Sequence, residues 1–143
     1  MKYLLILVLL VGCSTKKQSF APGRSSPLLE QYIQEFEDDF NIDVNFEVVF
    51  VPYFSANLNN PNIIGMCLSN GPFKRVEIIE TKEFSRSLAA IVWHEIGHCA
   101  LDISHYEKTY DIMNSKLTDS IIYYFDSYRQ QMIENYENGV YSK

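Results

Sequence analysis

The chain has 143 residues, 47% of them hydrophobic, and its 12 basic and 18 acidic residues give a formal net charge of −6 at pH 7. An acidic balance of this kind excludes nucleic acid as the main partner and argues against a basic patch for anionic lipids. The length suits one domain with a single core, and we expect a monomer.

The first twelve residues have the layout of a secretory signal peptide. One lysine precedes a nine-residue apolar run, Tyr3–Val11, which is too short to span a bilayer as a permanent helix. The run continues into Gly12 and Cys13, and the segment LVGC resembles the lipobox of bacterial lipoproteins. The resemblance implies cleavage before Cys13 and acylation of this cysteine, which would anchor the protein in the cell envelope. Because Ser14 follows, the outer membrane is expected where the host has two membranes; the alternative is an ordinary signal peptide with a chance cysteine.

Two segments follow the signal peptide and differ in composition. Residues 13–27 carry the lipidated cysteine and are polar, with Gly, Pro and Ser, which is typical of a flexible tether. Residues 28–143 form the expected domain. After cleavage the chain keeps 131 residues, 11 of them basic and 18 acidic, and its net charge becomes −7.

Three segments of the domain have the apolar spacing of helices. The first, Leu28–Phe40, follows a favourable N-cap and proline pair, but acidic residues oppose the dipole at its other end, so we expect that end to fray. The second begins at Thr81 or Ser85 and ends at about Leu101. The third, Leu117–Asn138, is long and carries an apolar stripe.

Three other segments are rich in β-branched residues or alternate in hydrophobicity, and we predict that they are strands. They are Ile42–Val51, Ile63–Leu68 and Arg75–Glu80, with a turn at Ser69–Pro72. Helices and strands in this order predict an α+β fold in which a small mixed sheet packs on the N-terminal, central and C-terminal helices.

Residues 94–98 read H-E-x-x-H in the central helix. His94 and His98 are four residues apart, so a helix presents both imidazoles on one face to a single metal ion. Glu95 lies one residue further round the helix, where its carboxylate can act as a general base on water without binding the metal. A catalytic zinc takes three protein ligands and keeps a fourth position for water. The motif therefore requires a third ligand.

His105 is the third ligand that we favour, because imidazole suits zinc and all three histidines of the chain fall within twelve residues. Asp102 is the alternative, since a carboxylate also binds zinc. The chain must reverse tightly after His98, and Asp102 can adopt the positive φ that such a reversal needs.

The pattern resembles the zincin metallopeptidases, and among them the metzincins, whose signature H-E-x-x-H-x-x-G-x-x-H precedes a Met-turn. The chain departs from that signature: Leu101 and Ser104 occupy the glycine and third-histidine positions, and the histidine comes one residue later. The resemblance implies that Met113 is the methionine of the turn and that the edge strand, expected at Ile63–Leu68, pairs with the substrate backbone. It also implies the roles of the motif residues: zinc ligands His94, His98 and His105, with Glu95 as the general base.

Two cysteines remain once Cys13 is lipidated. Cys67 and Cys99 form an even pair outside the cytoplasm, which favours a disulfide between strand and helix, but two separate buried thiols stay open as the alternative. Cys99 points about 100° away from His98 around the helix, so we do not expect it to bind the metal.

These features together predict a zinc-dependent peptidase, anchored through Cys13, that hydrolyses peptide bonds in a protein or peptide of the cell envelope. The oxyanion helper that some metzincins place after the methionine is absent, since Ser115 is there, and Tyr106 or Tyr110 is expected instead. Two alternatives remain: a non-catalytic zinc-binding lipoprotein that acts as a binding module, and an amidase acting on cell-wall material.

Overall fold

The computed structural model describes residues 26–56, 62–80 and 87–141. This part of the chain forms a three-stranded sheet and four helices, so the predicted α+β class is confirmed. The signal peptide and Cys13 lie outside the described residues. Within the described residues, no helix has both the length and the apolar character needed to cross a bilayer.

Helix α1, Pro27–Phe40, begins where Ser26 caps it through a hydrogen bond from Leu28 N–H. The predicted fraying of its acidic end is not observed. Asn41 ends the helix at φ 51°, and its N–H donates to the Glu37 carbonyl. Asp39 also accepts a hydrogen bond from Arg129. A left-handed cap and an ion pair therefore offset the unfavourable charges.

The sheet has the strand order β1-β3-β2, with β1 Glu47–Val51, β2 Gly65–Asn70 and β3 Phe73–Ile79. Strand β3 is central, parallel to β1 and antiparallel to β2. Strand β2 lies at an edge, as predicted for this part of the chain. The first strand is shorter than predicted because its pairing with β3 begins at Glu47.

Helix α2, Leu88–Leu101, is the centre of the core. It starts at Leu88, after the N-cap Ser87, and the predicted starts Thr81 and Ser85 lie outside the described residues. Ten of the fourteen residues of this helix are buried, as expected for a helix that is apolar all round. The sheet covers one side of α2, while Trp93 packs against Phe36 of α1 on another.

The predicted C-terminal helix is two helices, α3 Asp119–Tyr123 and α4 Phe125–Glu137. Tyr124 breaks the helix with φ −112° and ψ 31°. The break falls in a run of five β-branched or aromatic residues, 121–125, which are weak helix formers. It allows Phe125 to pack edge-on against Trp93 at a centroid distance of 5.7 Å, so α4 closes the remaining side of α2.

Candidate metal centre

Two histidines of α2 form the base of the candidate site. His94 and His98 lie one turn apart, and their Nε2 atoms are 3.0 Å from each other. His94 is buried and His98 is half-buried. The helix therefore presents two ring nitrogens at one point, as the four-residue spacing predicts.

His105 joins them after a reversal of the chain. Asp102 ends α2 with φ 54°, and its N–H donates to the Gly97 carbonyl. The predicted positive φ at Asp102 is thus observed. Beyond this residue, the chain returns along the helix and brings His105 Nε2 within 3.3 Å of His94 Nε2.

The ligand atoms of the three histidines all lie within 4.8 Å of one another. Among the described residues, no other His, Cys, Asp or Glu belongs to this group. Asp102, the alternative third ligand, is exposed and outside it. The structure therefore brings together the histidine trio rather than a pair of histidines with a carboxylate.

Backbone carbonyls determine which ring nitrogens face the centre. His94 Nδ1 lies 2.6 Å from the Ile112 oxygen, and His98 Nδ1 lies 2.5 Å from the Ile103 oxygen. A carbonyl can only accept, so each Nδ1 carries the proton and each Nε2 keeps its lone pair. This is the arrangement that orients metal-binding histidines in proteins.

The separation of the nitrogens fits a small cation. Zinc–nitrogen bonds of about 2.0–2.1 Å in tetrahedral geometry place two ligand nitrogens about 3.3 Å apart. The observed separations from His94 are 3.0 and 3.3 Å. Burial lowers the pKa of His94 to about 4 and also lowers the pKa of His98, so both rings stay neutral at pH 7. Converging lone pairs on neutral rings are the donor set that a metal ion requires.

Glu95 lies beside this trio and lines the same cleft. Its burial raises the pKa of the carboxyl to about 7, while a hydrogen bond from the Cys67 backbone N–H opposes the shift. A nearby cation would favour the carboxylate and lower this pKa again. Strand β2 approaches Glu95 at Gly65, where an added Cβ would lie 2.7 Å from the Glu95 Cγ and Oε1 atoms.

The turn at Asp111–Asn114 supports the site from below. Met113, the predicted Met-turn residue, is fully buried and packs against Gly97 of α2, where an added Cβ would lie 2.7 Å from its sulfur. Ile112 supplies the carbonyl that holds His94. Asp111 is buried, and its Oδ1 accepts a hydrogen bond from the Met113 N–H at 2.8 Å.

Cys67 and Cys99 form a disulfide with a Cα–Cα distance of 5.5 Å. The two cysteines are therefore not separate thiols, which was the alternative. The bond joins β2, whose Cys67 N–H supports Glu95, to the residue that follows His98 on α2. As expected, Cys99 does not belong to the metal-binding group.

A cleft of about 990 Å³ opens over the histidines between β2 and the loops after α2. Its walls are mainly apolar, with Met66, Ile91 and Leu117 among them. Tyr106 and Tyr110, the predicted oxyanion helpers, do not line it. Instead, Tyr106 packs edge-on against another tyrosine of the C-terminal segment, and Tyr110 stacks on a tyrosine of α4.

Three residues at this site have roles that were not predicted from the sequence. Gly65 and Gly97 allow close approach to Glu95 and Met113. A glycine inside a strand is a known signal of close backbone approach, so the first could have been found. Asp111 accepts a bond from the N–H two residues on, the pattern of an Asx turn, which the segment Asp-Ile-Met could have indicated.

No family model, curated protein or solved structure matches the chain. The function is therefore inferred from the geometry of the site.

Proposed function

We propose that this protein is a zinc-dependent peptidase. The observation that carries the proposal is the convergence of three histidine Nε2 atoms in an open cleft that Glu95 also lines. Three nitrogen ligands with a fourth position open are typical of catalytic zinc, whereas structural zinc has four protein ligands. The zincin resemblance of the H-E-x-x-H segment and the methionine turn supports the same assignment.

The three histidines and Glu95 have different roles in this proposal. His94, His98 and His105 hold the ion through Nε2, and zinc, when bound, supplies Lewis acidity toward a carbonyl oxygen and toward water. Glu95 takes a proton from the attacking water and delivers it to the leaving amine. Burial and the Cys67 N–H keep its carboxylate in one orientation for both transfers.

The free edge of β2 is the surface on which we propose that substrate binds. The Ile79 N–H donates to the Ile64 carbonyl, which sets the alternation of the antiparallel pair. Backbone groups of Gly65 and Ser69 then point away from β3, toward the open edge, while the Cys67 N–H between them is hydrogen-bonded to Glu95. An extended peptide can pair with such an edge as an added strand. Apolar walls of the cleft favour substrates with apolar side chains.

A Glu95→Gln substitution tests the catalytic part of the proposal. Removal of a general base typically costs about 10²–10⁴-fold in rate. We expect Glu95→Gln to lose hydrolysis of a quenched fluorescent peptide library by that factor while it retains zinc, measured by elemental analysis. His105→Ala is the matched variant for the ion, and we expect it to lose both zinc and hydrolysis.

The other function considered is a non-catalytic zinc-binding module. A closed structural site needs a fourth protein ligand, but Asp102 is outside the group and the Asp111 carboxylate is hydrogen-bonded elsewhere. If wild type and Glu95→Gln bind equal zinc and neither hydrolyses any peptide of the library, the binding module replaces the peptidase.

We also propose that Cys13 anchors the protein in the cell envelope. The lipobox resemblance supports this, although the residue lies outside the described part of the chain. A Cys13→Ser variant should lose incorporation of labelled palmitate and leave the membrane fraction. Unchanged fractionation and labelling would argue against the anchor.

A further inference from the structure

The Asp111 carboxylate is the most deeply buried acid near the proposed metal centre, with 2% of the residue exposed. Three neutral donors in the described part of the chain contact it. The Met113 N–H lies 2.8 Å from Oδ1, the Asn135 amide lies 2.9 Å from Oδ2, and the Tyr141 hydroxyl lies 2.8 Å from both oxygens. Burial of a polar group is costly unless it is hydrogen-bonded, so three donors to one buried carboxyl group indicate a role beyond packing.

The turn that Asp111 organises contacts two of the three metal-binding segments. Between Asp111 and Met113 lies Ile112, whose carbonyl accepts from His94 Nδ1 at 2.6 Å. The Met113 carbonyl accepts from the N–H of Tyr106, the residue after His105, at 2.8 Å. A shift of this turn therefore moves one ligand directly and a second through its neighbour.

The donors from the C-terminal segment hold the turn in place. Asn135 belongs to α4 and Tyr141 follows it, at separations of 24 and 30 residues from Asp111. Burial raises the pKa of Tyr141, and the neighbouring Asp111 raises it further. The hydroxyl therefore keeps the proton that it donates. The C-terminal segment is thereby linked to the ring of His94 through Asp111 and the Ile112 carbonyl.

We propose that Asp111 is a positioning residue for the metal centre, and that Asn135 and Tyr141 act through it. The proposal rests on the metal-binding part of the proposed function but not on peptidase activity. Partners of metal-binding histidines typically contribute about 10- to 100-fold to metal affinity. Because Asp111 acts through one further residue, we expect an effect at the lower end of that range.

Zinc titration of the full-length protein against a chromophoric chelator tests the proposal. We expect Asp111→Asn to weaken zinc affinity by about tenfold and Tyr141→Phe by about threefold. The matched control is Tyr136→Phe, because this tyrosine of α4 packs on Phe40 and is not one of the three donors to the carboxylate. It should leave the zinc affinity unchanged. Cobalt substituted for zinc should show an altered ligand-field spectrum in the first two variants only.

The outcomes separate this inference from the function on which it rests. Weaker zinc binding by both variants, with the control at the wild-type value, supports the positioning role. Equal affinity and equal cobalt spectra in all four proteins overturn it while the metal centre stands. Failure of the wild type to bind zinc overturns both. If Asp111→Asn does not fold, Tyr141→Phe, which removes a single oxygen, decides the question alone.

Discussion

Gly65 has no side chain at the point where β2 passes closest to Glu95. A Cβ at this position would lie 2.7 Å from both the Cγ and Oε1 atoms of Glu95, so one of them has to move. We expect Gly65→Ala to displace the carboxylate from its bond with the Cys67 N–H and to lower peptide hydrolysis by roughly 10²-fold, since small misplacements of catalytic groups have effects of this size. Zinc content should stay at the wild-type value.

Asn70→Ala is the control for Gly65→Ala, because Asn70 ends the same strand and does not line the cleft. It should retain most of the hydrolysis. Equal activity in Gly65→Ala and wild type would indicate that Glu95 tolerates displacement and would weaken its assignment as the general base.

Local spacing explains which site residues could be predicted from the sequence. His94 and His98 share a helical face because of the helix repeat alone, and the positive φ of Asp102 follows from the need to end that helix. Two of the three partners of Asp111 could not be predicted in the same way. Asn135 and Tyr141 lie 24 and 30 residues away, and no spacing rule relates a turn to a distant segment of the chain.

At the scale of elements, the disulfide holds the edge strand β2 against α2. Cys67 and Cys99 are 32 residues apart, and a loop of that length is expected to contribute about 3–4 kcal/mol through the entropy of the unfolded chain. We therefore expect the double variant Cys67→Ser/Cys99→Ser to lose about that much free energy of unfolding in urea.

The effect of reductant provides the control for the disulfide prediction. Dithiothreitol should lower the stability of the wild type toward that of the double variant and leave the variant unchanged. A Cys13→Ser background removes the remaining thiol from the comparison. If the variant and the wild type unfold at the same urea concentration with and without reductant, the disulfide contributes nothing to stability.

The boundaries of elements were predicted less well than their existence. The first strand is shorter than its composition predicted, because pairing with β3 begins only at Glu47. The long C-terminal helix was predicted from an unbroken apolar stripe. The helix breaks at Tyr124, and the break allows Phe125 to pack on Trp93. The spacing of apolar residues along the sequence does not reveal such a tertiary contact.

For the whole molecule, the α+β class could be predicted from the sequence, but the order of the strands in the sheet could not. The order β1-β3-β2 places the second strand in sequence at an edge, beside the cleft. Parallel pairing of β1 with β3 is a property of the assembled core, and the composition of the two strands does not determine it. The cleft over the histidines exists only because this order leaves one side of β2 open.

The proposed metal centre should also stabilise the molecule as a whole. His94 and His98 lie on α2, but His105 reaches them only after the reversal at Asp102, so only the folded chain brings the three nitrogens together. A ligand that binds only the folded state at 100 times its dissociation constant adds about 2.7 kcal/mol of stability. We therefore expect zinc to raise the thermal midpoint of the metal-free protein by roughly 10 °C, and EDTA to reverse the rise.

Two variants provide the controls for this rise in thermal midpoint. His105→Ala should lose most of it, whereas Glu95→Gln, which keeps all three imidazoles, should retain it. Identical midpoints with zinc and with EDTA in the wild type would contradict a metal centre built from these histidines.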